Sequence, residues 1–136
     1  MRVVVDTKVL ISALLVVTSP PASIITLWRE SRFSLLTSAL QLDELMQVTR
    51  YPRIRVRLQP ALAGRLINEL RKAAILVENL PAVDVSPDPY DNYLLAMAVG
   101  GTADFLITGD KRDVLLLNQY RGTKIISVRD FLTMIL

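Results

Sequence analysis

The sequence contains no cysteine and no histidine. The first absence removes thiol nucleophiles, disulfide frameworks, zinc–thiolate sites and iron–sulfur ligation. The second removes imidazole as triad base or metal ligand, so acid–base or metal chemistry in this chain falls to carboxylates. Long apolar runs are also missing. Val9 to Val17 is preceded closely by Asp6 and Lys8 and falls far short of the ~20 apolar residues that cross a bilayer. The expectation is a cytoplasmic protein with no membrane association. Charge is sparse as well: 21% of the 136 residues are charged against 51% hydrophobic, with a mean hydropathy of +0.38. That is more apolar material than a small solitary domain needs, which leaves some for a partner. The length suits one domain spanning residues 1–136. The net charge of +3 and 16 Lys plus Arg favour contact with a polyanion without identifying it.

Five short, β-branched apolar runs punctuate the chain: Arg2 to Val5, Phe33 to Leu36, Ile75 to Val77, Phe105 to Thr108 and Lys124 to Val128. They are continuous rather than alternating, the pattern of strands buried on both faces. Between them lie helical stretches. Leu62, Leu66, Ile67 and Leu70 recur at helical spacing, with Arg65, Glu69, Arg71 and Lys72 opposite, which predicts an amphipathic helix over residues 60–73. Ser19 before Pro20, Ser38 with Gln41 three residues on, and Asp88 before Pro89 each have the form of a helix start. Strands alternating with helices imply an α/β fold with a parallel sheet.

Ligands of open parallel sheets bind beyond the carboxyl ends of the strands. Asp6 directly follows the first strand, and Asp110 follows the fourth strand and Gly109. Glu44, on the helix after the second strand, falls between Leu40 and Val48 at 100° per residue, inside the apolar arc, while Asp43 and Gln47 lie outside it. Asp91 occupies the first turn of a helix that is apolar nearly all round, from Tyr93 to Val99. Four carboxylates within roughly 7 Å of each other make six repulsive pairs, of order 10 kcal/mol together at an effective dielectric near 20. A divalent cation would offset that, because Mg²⁺ and Mn²⁺ take oxygen ligands. Such an ion activates water and neutralises charge on a phosphodiester. Each acid also has a plainer use: Asp6 and Asp110 as helix caps, Asp91 as a complement to a helix dipole, Glu44 as a surface group. Asp88 reads as the N-cap of the Asp91 helix, and Asp104 precedes its strand and so belongs to the opposite edge.

The chain resembles the PIN-domain family of small ribonucleases, in particular the VapC-like toxins of toxin–antitoxin pairs. The resemblance is carried by Val3-Val4-Val5-Asp6-Thr7-Lys8-Val9-Leu10, Leu42-Asp43-Glu44-Leu45, Asp88-Pro89-Tyr90-Asp91-Asn92-Tyr93-Leu94-Leu95 and Ala103-Asp104-Phe105-Leu106-Ile107-Thr108-Gly109-Asp110-Lys111. It implies a three-layer α/β/α fold around a five-stranded parallel sheet of order 3-2-1-4-5. It also implies Mg²⁺ or Mn²⁺ held by Asp6, Glu44, Asp91 and Asp110, RNA as substrate, a homodimer or higher oligomer, and a cognate antitoxin protein. One position departs from the family pattern: Lys8 stands where asparagine is usual. Its ammonium turns toward Asp6, in place of part of the metal's charge, faces outward to a substrate phosphate, or is simply a solvated group at the helix start.

Arg50, Arg53, Arg55 and Arg57 cluster around Tyr51, either as a grip on a phosphate backbone or as a solvated face. Leu14 to Val17, Ile24, Ile25, Leu27 and Trp28 supply apolar surface for a dimer seam or an antitoxin groove, or else belong to the core. Two other acid-rich enzymes are disfavoured. A phosphoacceptor receiver needs an aspartate ending the third strand, where Val77 is followed by Glu78-Asn79, and a haloacid-dehalogenase-type phosphatase needs one at position 8. The remaining alternative is a catalytically weak or silent adaptor that keeps the fold and binds RNA or protein, supported by Lys8.

Overall fold

The structure, a computed structural model, describes residues 1–109 and 117–136. Strands β1 (Arg2–Val5), β2 (Ser34–Thr37), β3 (Ile75–Leu76), β4 (Phe105–Thr108), β5 (Gln119–Tyr120) and β6 (Thr123–Ser127) form one sheet of order β3-β2-β1-β4-β6-β5. Every pairing is parallel except β5 with β6. The described helices are α1 (Thr7–Leu15), α2 (Pro20–Arg29), α3 (Ala39–Val48), α4 (Pro52–Arg55), α5 (Pro60–Ala73), α6 (Pro89–Gly100) and α7 (Val128–Ile135).

The expected five-stranded, wholly parallel sheet of order 3-2-1-4-5 is therefore corrected to a mixed, six-stranded one. The added strand is a hairpin device. Arg121 and Gly122 both have positive φ, 44° and 88°, and lie between the paired residues Tyr120 and Thr123. Two central residues of that kind make the type I′ turn whose twist suits an antiparallel pair. The β5 segment, Gln-Tyr, has no apolar run by which a sequence reading would find it.

Alternation along the strands divides the core in two, because successive side chains point to opposite faces. Val3, Val5, Leu35, Ile107 and Ile126 pack with α1, α2, α3, α5 and α7. Val4, Leu36, Leu106 and Ile125 pack with α6 on the other face. All three predicted helix starts have their side-chain caps: Ser19 accepts from Ala22 N, Ser38 from Gln41 N and Asp88 from Tyr90 N. The Ser38 motif is only half a capping box. Gln41 turns away from the cap, donates to Val5 O at 2.7 Å and accepts from Thr37 Oγ1 at 2.8 Å. It thereby ties the start of α3 to the ends of β1 and β2.

Ile24, Ile25, Leu27 and Trp28 are buried in the core, the second of their two expected uses; of that set only Val16 and Val17 are exposed. Among the described residues no single helix is long and apolar enough to cross a membrane.

Candidate active site

The carboxyl ends of β1, β2 and β4 end on Val5-Asp6, Thr37-Ser38 and Thr108-Gly109, one rim of the sheet. Asp6 is 1% exposed and its backbone amide continues the ladder to Ile107 O at 2.9 Å. Its carboxylate is the N-cap of α1, with Oδ1 accepting from Lys8 N at 2.9 Å. The plain capping use and a rim position thus coincide in one residue. Oδ1 also accepts from the Tyr90 hydroxyl, and Oδ2 accepts from Thr108 Oγ1 at 2.9 Å. A buried carboxylate demands such donors.

Tyr90 belongs to the first turn of α6, beside Asp91. Three residues on, and so on the same helix face, Tyr93 donates to Glu44 Oε1 at 3.2 Å, and its hydroxyl lies 3.3 Å from Thr7 Oγ1. The two phenol rings meet edge to face with centroids 5.6 Å apart. One helix therefore reaches the acid ending β1 and the acid on α3 through two neighbouring hydroxyls. Asp91 is itself 1% exposed and accepts from Ser86 Oγ at 3.3 Å. Asp88 caps the helix at its outer end, and Asp104 accepts from Arg2 N at 2.7 Å on the opposite edge of the sheet.

Glu44 reaches the rim by a different route from the one its spacing suggests. The packed face of α3 is Gln41, Leu42 and Leu45, while Leu40 is 56% exposed. The expectation that Glu44 lies inside an apolar arc from Leu40 to Val48 is corrected. The helix is turned so that Gln41 enters the core, and Glu44 sits half-buried at the margin with the Tyr93 phenol as its partner.

Burial and the nearby negative charge raise both tyrosines above their ordinary pKa. Burial is the larger cause for each; the second is Asp6, as charge and hydrogen-bond acceptor, for Tyr90, and for Tyr93 Glu44 pushes up while the bond from Thr7 opposes it. Both phenols therefore stay protonated in neutral solution and serve as donors, not bases.

A family model described as PIN domain matches residues 2–112. The chain belongs to the PIN-domain family. None of the curated proteins matches it. PIN domains are generally metal-dependent nucleases and typically use divalent ions such as Mg²⁺, which gives the rim of this PIN domain a question to answer.

The donor chemistry suits such an ion: Asp6 and Glu44, and Asp91 in the first turn of α6, offer hard oxygen atoms. Asp6 and Glu44 are held by neutral hydroxyls and an amide, and neither makes an ion pair among the described residues, where the one ion pair is Arg29 with Glu69. Among the described residues, however, no three acidic side chains gather closely enough to hold a metal. The fourth expected ligand, Asp110, lies outside the described residues. The most conspicuous obstacle is Tyr90, whose hydroxyl occupies an Asp6 oxygen. Lys8 is an exposed residue at the start of α1, and its ammonium stands over the Tyr90 ring, 5.6 Å from the centroid.

Residue-type reasoning missed Tyr90, Tyr93, Thr7 and Thr108, because hydroxyls are too common to stand out. The usable signal was two tyrosines three residues apart at the start of an otherwise aliphatic helix. An open groove of about 530 Å³ leads away from the rim, lined by Thr7, Lys8, Glu44, Tyr51, Arg53 and Tyr90 among others.

Proposed function

We propose that this PIN domain is a Mg²⁺- or Mn²⁺-dependent ribonuclease in which Asp6, Glu44, Asp91 and Asp110 hold the ion, and that it is a VapC-like toxin. The observation that carries the proposal is the convergence of Asp6 and Glu44 on adjacent hydroxyls of α6, the helix that bears Asp91 in its first turn. When bound, the ion supplies an activated water and positive charge for the phosphodiester. The chain's own residues do the rest. Thr108 and the Lys8 amide fix the Asp6 carboxylate in one orientation, Tyr93 fixes Glu44, and the groove toward Arg53 receives the phosphate backbone. The proposal extends to a cognate antitoxin, a homodimer or higher oligomer, and action in the cytoplasm.

A second reading has a specific observation in its favour. Tyr90 holds Asp6, and no three described acids gather around a common point, as expected of a weak or silent PIN-fold adaptor. RNA cleavage in Mn²⁺ against EDTA, repeated on Asp6→Asn, decides between them. Asparagine preserves the cap of α1 while removing the charge. Cleavage that requires Mn²⁺ and is lost in the variant supports the nuclease; metal-independent cleavage, or none under either condition, supports the adaptor.

A further inference from the structure

The four arginines that cluster in the sequence around Tyr51 are separated in space by α4. Arg53 lines the groove that starts at the acidic rim. Arg50 and Arg55 instead line a second cleft, of about 370 Å³, between α3, α4 and α5, where Arg71 of α5 joins them. Arg57 lines neither. The second cleft has Thr49 and Asn68 among its polar lining and, among the described residues, no carboxylate. None of its three guanidinium groups makes an ion pair among the described residues, and Arg71 donates only to the weakly accepting Met46 Sδ, at 3.4 Å. The cleft is open at Gly64, where an added Cβ would meet nothing within 4 Å. Three like charges around a roomy hollow with no carboxylate among its described lining residues repel each other until an anion enters, and guanidinium geometry matches phosphate oxygens.

From this arrangement we infer that the α3–α4–α5 cleft binds phosphates of a polynucleotide strand whose neighbouring segment lies in the groove at the acidic rim. For the identity of the anion the inference rests on the ribonuclease proposal. Several features favour a strand over a lone nucleotide. The two hollows flank the same short helix, α4, whose diameter with side chains is about 10 Å, so a few nucleotides connect them. Tyr51, which lines the rim groove, is 47% exposed at the start of that helix and offers a stacking face at the crossing. Arginine stands on both sides. The strand is thus gripped at a point removed from the chemistry, and phosphate contacts of this kind position without reading sequence.

The test is fluorescence anisotropy of a labelled single-stranded RNA of about twelve nucleotides, in EDTA, as a function of salt. The proteins are the unaltered chain, the triple variant Arg50→Gln/Arg55→Gln/Arg71→Gln and the charge-matched control Arg65→Gln/Lys72→Gln/Arg129→Gln, with circular dichroism to confirm folding. Three lost phosphate contacts reduce the slope of log affinity against log salt by about 2 and weaken binding at low salt by at least about tenfold; the control keeps the slope. An unchanged slope in the cleft variant, an equal loss in the control, or no RNA binding by the unaltered chain overturns the inference. Equal competition by polyglutamate of matching charge also overturns it, in favour of an acidic protein. Because binding is read without metal, absence of Mn²⁺-dependent cleavage would sink the ribonuclease proposal separately.

Discussion

Tyr90→Phe isolates the relation between the α6 hydroxyl and the carboxylate at the end of β1. The substitution removes one oxygen and leaves the ring, its edge-to-face contact with Tyr93 at 5.6 Å and the Lys8 ammonium above it. A hydrogen bond to a charged acceptor contributes about 1.5–3 kcal/mol. Asp6 retains the Lys8 amide and the Thr108 hydroxyl, so the loss belongs at the lower end, about 1.5–2 kcal/mol. For a domain of this size that corresponds to a fall in Tm of roughly 5 °C, read in EDTA by calorimetry. If the tyrosine and a divalent ion compete for the same oxygen, linkage requires the variant to bind Mn²⁺ more tightly, by about tenfold for 1.4 kcal/mol. Titration calorimetry measures that directly. At saturating Mn²⁺ most of the deficit in Tm should then vanish, because the ion replaces what the hydroxyl supplied. The same deficit in EDTA and in saturating Mn²⁺, with equal Mn²⁺ affinities, would refute the competition and leave Tyr90 a purely structural donor.

Three further outcomes are expected. Lys8→Asn removes a solvent-exposed positive charge near the rim; across water at about 7 Å a unit charge and a divalent ion interact by about 1.2 kcal/mol, so Mn²⁺ affinity should rise by about sevenfold, and an unchanged titration would show that the ammonium over Tyr90 does not oppose the ion. Alkaline stability should carry the mark of both tyrosines. Their native pKa values lie above the ordinary 10, so their contribution is complete below about pH 10 and is lost as pH rises from there toward the native values, with a slope of up to about 1.4 kcal/mol per pH unit for each. Urea denaturation at stepped pH should show that slope, and Tyr90→Phe should remove part of it. Gly101→Ala places a methyl 2.6 Å from Leu36 Cδ1 and 2.9 Å from Val77 Cγ2 at the end of α6; overpacking of this kind costs about 1–3 kcal/mol, seen as a lower denaturation midpoint, and a neutral result would mean that the Leu36 tip simply moves aside.

The helix over residues 60–73 could be read in advance almost to the residue, because its apolar stripe and charged face differ so sharply and Pro60 begins it. The central parallel strands were legible for a related reason: burial on both faces forces continuous Val, Leu and Ile, as in Val3-Val4-Val5, whereas β3, expected to be buried in the same way, is an exposed edge strand at Ile75 and Leu76. The hairpin strand β5 was not, since two residues of polar and aromatic type leave no pattern, and its turn depends on positive φ at Arg121 as well as Gly122. Asp6 at the rim also followed from order alone, as the residue after the first strand. The surroundings of Glu44 did not. Periodicity put Leu40 inside, whereas Gln41 goes in, because Val5 O and Thr37 Oγ1 satisfy its amide from strands distant in the chain.

Sequence alone thus determined the class of fold, the edge of the sheet on which Asp6 falls, and the exclusion of thiol and imidazole chemistry, all of which depend on residue type and short-range spacing. Tertiary structure alone decided that Tyr90 and Tyr93 are the partners of Asp6 and Glu44, and that Arg50 and Arg55 face Arg71 rather than Arg53. Hydroxyls and guanidinium groups form their contacts across segments tens of residues apart, and local periodicity carries no information about which of them meet.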